Sequence, residues 1–175
     1  MQKKCLPCAH ADEQPNWSAA LATLRQLLGQ PLAAKAPVTV MLSNHFVRYM
    51  VLPWSADLVT RAEEVEFARA RFIQVFGDKA RQWTIRASDA AAGLDRLSAA
   101  TDRALLEELR STLAASGLTL GSCQPALMAQ FNACRSRIGD NAWLVCAEYG
   151  RLLVAWIRAG HWGSVRVRPL NGSPV

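Results

Sequence analysis

The chain has 175 residues, 51% hydrophobic and 19% charged, which is enough apolar material for a domain with a real core and excludes a disordered polar segment. Its formal charge of +6 is interspersed, as in "RAEEVEFARARF", so it permits an anionic partner without specifying one. No stretch reads as a membrane span or a secretory leader: the uncharged run 111–134 is interrupted by "SGLTLGSCQP", and no apolar segment follows "MQKK".

Residues 1–15 lack periodicity and end at Pro15, which marks a tail. Residues 16–30 place Leu21, Leu24, Leu27 and Leu28 on one helical face, with Gly29 as a stop. Residues 38–43 and 46–52 are β-branched and aromatic, and Asn44-His45 between them predicts a hairpin turn. The second of these strands, "FVRYMVL", is expected to be an inner strand, apolar on both faces, with Arg48 among its side chains. A buried guanidinium needs a carboxylate or several carbonyls, because leaving it unpaired costs several kcal/mol. Arg48 is therefore a candidate structural residue, held by a helix glutamate or by carbonyls, set against the plainer reading that it lies near the strand's end and snorkels out to solvent. Pro53 ends the strand, and Trp54 is expected to pack at the turn that follows.

A helix is predicted over 57–76 from Val65, Ala68, Phe72, Val75 and Phe76, closed by Gly77-Asp78. Residues 82–88 form a short strand, and "DAAAGLDRLSAAT" is a small-residue connector. A second long helix spans 102–116 with Leu105, Leu106, Leu109 and Leu113 inward, and Gly117 ends it. "LTLGS" is a brief strand, after which Pro125 starts a helix reaching about Ser136. "AWLVCAE", "RLLVAWIR" and "HWGSVRVR" make an antiparallel meander turning at Tyr149-Gly150 and Ala159-Gly160. In "SVRVRP" both valines point one way and both arginines the other. The order describes an α/β or α+β domain.

Chemistry-bearing patterns are sparse. The tail holds Cys5-x-x-Cys8-x-His10. Two thiolates at that spacing reach one tetrahedral ion, so Cys5, Cys8 and His10 are candidate metal ligands, although a structural zinc needs four ligands and no second Cys/His pair follows. Cys123, Cys134 and Cys146 lie in apolar segments, where reduced thiols behave as small hydrophobes. The strands at 38–43 and 46–52 carry no acid to hold magnesium. There is no Gly-x-Ser-x-Gly elbow and no glycine-rich phosphate loop. No catalytic residue is assigned, and the chain is not expected to be an enzyme. Arg48, Arg151, Arg158, Arg166 and Arg168 with Trp156 and Trp162 offer a basic aromatic surface for nucleic acid, set against the plainer reading of a meander with one wet face.

Taken together, "VTVMLSNHFVRYMVLPWS", the helix with Glu63, Glu64 and Glu66, "QWTIRA", the helix ending at Gly117, the strand running into Pro125 and the hairpin at Tyr149-Gly150 resemble the actin-like modules of PilM-type pilus-assembly and GspL-type type II secretion proteins. The resemblance covers residues 37–170. It implies a ribonuclease-H-like, actin-type lobe over 16–139, with a mixed sheet flanked by helices, and the start of a second lobe over 140–175. It also implies a cytoplasmic, non-enzymatic scaffold at the periphery of the inner membrane. Its partners would be inner-membrane pilus or secretion assembly proteins or an assembly ATPase. PilM-type relatives bind ATP through acid-and-glycine turns, and Glu148 and Gly150 in "AEYGR" are the candidate positions here. An incomplete second lobe would leave an open edge and face over 142–170, where a homodimer or a partner is expected to dock, with Trp156 and Trp162 as candidate interaction residues.

Overall fold

The computed structural model describes Leu6, residues 17–29 and residues 37–170, which divide into two compact units interleaved along the chain. Cys5, Cys8 and His10 lie outside the described residues. Among the described residues no helix is long and apolar enough to cross a membrane.

One unit comprises the described residues up to Val40 together with residues 103–123. Helix α1 (Trp17–Leu28) packs on helix α3 (Arg103–Ala115). They bury Leu21 on α1 and Leu105, Leu109 and Leu113 on α3, as the heptad-like spacing predicts. Leu106 is only half-buried. At the end of α3, Leu118 N–H reaches Leu113 C=O and Gly117 N–H reaches Ala114 C=O, a Schellman closure made feasible by Gly117 at φ 71°. Strand β1 (Pro37–Leu42) is paired with β5 (Thr119–Pro125). A Cβ on Gly121 would lie 2.9 Å from Pro37 Cβ, so this close approach requires glycine.

The other unit comprises residues 41–102 and the described residues from 124 onward. Its first sheet has the order β2-β4-β3, antiparallel throughout: β2 (Val47–Leu52), β3 (Trp83–Ala87) and β4 (Arg96–Asp102). Three expectations are corrected here. The segment read as a small-residue connector contains β4, the central strand. Strand β2 pairs with β4 through Val47↔Thr101 to Leu52↔Arg96, so the turn at Asn44-His45 forms but no ladder joins β1 to β2. Strand β2 is consequently an outer strand of its ladder, with β8 (His161–Pro169) alongside. Small residues suit β4 because Ser98 and Ala100 are fully enclosed, where larger side chains would not fit.

Helix α2 (Arg61–Phe76) covers this sheet. It starts at Arg61 and not at 57, because Thr60 caps it: Thr60 Oγ1 accepts from Glu63 N–H at 3.2 Å, while Glu63 Oε2 accepts from Thr60 N–H at 2.8 Å. Those backbone and side-chain donors at Thr60, and then Val59 N–H, hold the Glu63 carboxyl below its usual range. Phe72 and Ala68 pack with Leu52, Ile85 and Ala100, and Phe72, Phe76 and Trp83 form an aromatic cluster with centroids 5.4–6.4 Å apart. Val75, expected inward, is 57% exposed beyond this cluster.

Helix α4 (Ala126–Cys134) begins directly after Pro125, as expected. The meander follows as β6 (Ala142–Glu148), β7 (Arg151–Arg158) and β8, with turns at both predicted positions. Cys146, Leu153, Ala155 and Ile157 form its buried face. Phe131 of α4 meets Trp162 at 4.7 Å between ring centroids.

Candidate functional site

The short turn between β1 and β2 closes when Phe46 N–H donates to Ser43 C=O at 3.0 Å. This puts Asn44 inside the protein, only 1% exposed. A buried amide must find partners for its donors and its acceptor. Its donors find partners on the β6–β7 hairpin and its acceptor on β2. Glu148, the last residue of β6, accepts Asn44 Nδ2 on Oε1 at 2.8 Å and Asn44 N–H at 3.1 Å. Its Oε2 accepts a short bond from Ser43 Oγ. Asn44 Oδ1 accepts from the Tyr49 hydroxyl at 2.6 Å.

Further bonds tie the same two turns. His45 Nε2 lies 2.9 Å from Tyr149 C=O. Arg151 Nη1 donates to Asn44 C=O at 3.3 Å, and Arg48 Nη1 donates to the carbonyls of His45 and Val47 at 3.1 and 3.2 Å. Of the two arrangements expected for Arg48, the carbonyl one forms. The helix glutamate Glu64 pairs instead with Arg96 and Arg61. Burial, and secondarily the Arg151 guanidinium, lowers the Arg48 pKa. Burial also lowers that of Arg151, against the opposing pull of Glu148. Burial first and the Glu148 charge second push the Tyr49 hydroxyl far above the usual phenol range, with the Leu127 backbone N–H acting the other way.

Chemically this is a brace. Both Glu148 oxygens accept protein donors, so the carboxylate links the two turns. Gly150, at φ 68°, serves the hairpin turn, and its carbonyl accepts from Leu170 N–H at 3.0 Å. A Cβ added to Gly150 meets nothing within 4 Å, so the turn is open on that side. Among the described residues no group of three His, Cys, Asp or Glu side chains could hold a metal ion. Glu148 and Gly150, the candidate nucleotide positions, both lie in this hairpin, Glu148 engaged by Ser43 and Asn44 and Gly150 in the turn itself.

Trp54 is 42% exposed, its backbone N–H donating to Asp95 Oδ1 at 3.3 Å, and it borders a shallow depression with Leu58 and Phe67 above the Arg96–Glu64 pair. Trp156 and Trp162, grouped above into one surface, lie on opposite faces of the meander. Trp162 faces α4. Trp156 stacks on Trp143 across the outward face at 5.9 Å and 21°, with Arg158 over it at 5.8 Å. On that face the pair Trp143↔Trp156 neighbours Val145↔Val154, and Arg166 and Arg168 project from β8. Trp143 and Val145 are 66% and 56% exposed. No outward-facing position of the three strands is acidic. Sequence reading missed Ser43, Asn44 and Trp143. The first two have no local signal, but Trp143 sits in the same alternation that separated the valines and arginines of β8.

The larger unit thus holds a β2-β4-β3 sheet under α2 and a β6–β7–β8 meander tied by Glu148 to the turn that leads into β2. No family model and no curated protein matches the sequence. Among solved structures the chain is similar to a "PilM-PilN type IV pilus biogenesis complex", with 17% identity and a TM-score of 0.65 over 95% of this chain and 52% of that one. It is also similar to the cytoplasmic domain of EpsL, an inner-membrane component of the type II secretion system of Vibrio cholerae. There the identity is 12% and the TM-score 0.57, over 87% of this chain and 56% of that one. A Bacteroides thetaiotaomicron protein with an actin-like ATPase fold and unknown function matches at 10% identity and TM-score 0.54, over 86% and 55%. The chain thus shares the actin-like fold of PilM-type and GspL-type modules, and spans about half the length of each of these structures.

Proposed function

We propose that this chain is a non-enzymatic scaffold module of a type IV pilus or type II secretion-like assembly, acting on the cytoplasmic side of the inner membrane. The observation that carries the reading is the match to the PilM-PilN complex over 95% of the chain. The brace supports it, because the acid nearest to a nucleotide turn is engaged in holding two turns together. In this reading residues 16–139 form a first lobe and 140–175 the start of a second. Residues 142–170 meet another chain, either an inner-membrane assembly protein, an assembly ATPase or a second copy.

The test is a tagged pull-down from gently solubilised native cells, read by mass spectrometry. Recovery of inner-membrane assembly proteins or their ATPase is expected. Recovery of only the chain itself or nucleic acid would reduce the similarity to a shared fold. Magnesium-ATP is expected to leave the melting temperature unchanged, and a rise of several degrees would restore nucleotide binding.

A further inference from the structure

We propose that the outward face of the β6–β7–β8 sheet receives one acidic amphipathic helix from a partner protein. The inference rests on the scaffold reading for the existence of a partner and specifies that partner's chemistry. The face has two zones. Trp143, Val145, Val154 and Trp156 form an apolar floor over β6 and β7, while Arg166 and Arg168 on β8 and Arg158 above Trp156 form a cationic margin. None of these arginines has a carboxylate within ion-pair distance among the described residues. An exposed apolar patch bordered by charge of one sign fits a ligand that is apolar on one side and oppositely charged beside it.

Size selects a helix. Three strands about 4.8 Å apart set the outer two about 10 Å from each other, the width of one helix. From Trp143 to Ala147 the face runs about 14 Å, matched by roughly nine helical residues. A second copy fits poorly, because stacking the face on itself either opposes two arginine margins or seats each margin on the other copy's apolar β6. Single-stranded nucleic acid also fits poorly. Base stacking needs free ring faces, whereas Trp143 and Trp156 already stack on each other. Arg158 lies over the Trp156 ring, and a Cβ on Gly163 would lie 2.9 Å from Trp156 Cε3.

The test uses the full chain and two synthetic helical peptides of about 18 residues, each with leucine along one face and either glutamate or lysine on the flanks. Binding is read by tryptophan emission and calorimetry. The glutamate peptide is expected to bind, shift the emission to the blue, and weaken as salt rises. The lysine peptide is expected to bind at least about tenfold more weakly, since like charges across an interface cost several kcal/mol. Trp143→Ser and the pair Arg166→Glu/Arg168→Glu should each lose at least about tenfold while keeping the parent melting temperature, as exposed positions do. Equal binding of both peptides, or binding of neither, overturns the proposal. So does a dimer that Trp143→Ser abolishes, or tighter binding to a single-stranded oligonucleotide or anionic vesicles. If the glutamate peptide binds but the pull-down finds no assembly protein, the scaffold reading fails and the surface stands. The reverse result moves the docking site elsewhere.

Discussion

Replacing Glu148 by alanine removes the acceptor for Ser43 Oγ, Asn44 N–H and Asn44 Nδ2 at once. A hydrogen bond to a charged group contributes about 1.5–3 kcal/mol, and a buried donor left unpaired costs about as much. The three bonds share one carboxylate and do not add, and Ser43 can turn towards water. Asn44, at 1% exposure, cannot. Counting its two donors alone gives a loss of about 3–4 kcal/mol. Glu148→Gln keeps one acceptor oxygen but turns an NH2 group towards those donors, for roughly half that loss. Urea unfolding followed by tryptophan emission reads the effect, because every tryptophan except Trp17 lies in the unit that holds the brace. An alanine variant within about 0.5 kcal/mol of the parent would show that Glu148 does not hold the two turns together.

Thr60→Ala should cost about 1 kcal/mol through loss of the α2 cap, and Thr60→Ser should restore most of it in thermal melts. Ser98 Oγ is buried with no hydrogen-bond partner among the described residues, so Ser98→Ala should raise stability by roughly 0.5–1 kcal/mol, and a loss beyond 1 kcal/mol in urea titrations would reveal a partner. Burial chiefly, then the Glu148 charge, lifts the Cys146 thiol from 9.0 to about 11. The native state then holds a proton that the unfolded state releases, so this contribution is full well below pH 9 and is lost as pH rises from about 9 through the folded value, a fall of roughly 1–2 kcal/mol once screening by solvent is allowed for. Tyr49 shifts in the same direction and extends the decline upward. Cys146→Ala should remove the early part of that decline, and a parent whose stability is flat across the window would contradict it.

The elements that could be read from sequence are those whose burial follows a local period. Helix α2 shows Ala68 and Phe72 at helical spacing, and the meander alternates cleanly enough to predict both turns. The capping box at Thr60 and Glu63 was also within reach, as a Thr-x-x-Glu before an apolar periodicity. Strand β4 was not. "RLSAATD" has few β-branched residues, and only its position under α2 makes small side chains the right choice. Nor does a turn at Asn44-His45 reveal whether its flanking strands pair with each other, since β1 and β2 take distant partners. The brace joins residues 104 and 105 positions apart, and no local window contains both ends.

The interleaving of the two units governs the order in which the chain can acquire structure during synthesis. The unit built from the described residues up to Val40 and from residues 103–123 must wait for α3 and β5 to emerge. By then β2, α2, β3 and β4 have been made, but their unit lacks the hairpin that carries Glu148. On the ribosome the first unit can therefore close once β5 has emerged, while Asn44 stays unsatisfied and its own unit open until β6 and β7 leave the tunnel. Neither unit can be liberated by one proteolytic cut, and a single nick at 89–95 would leave both with pieces on each fragment.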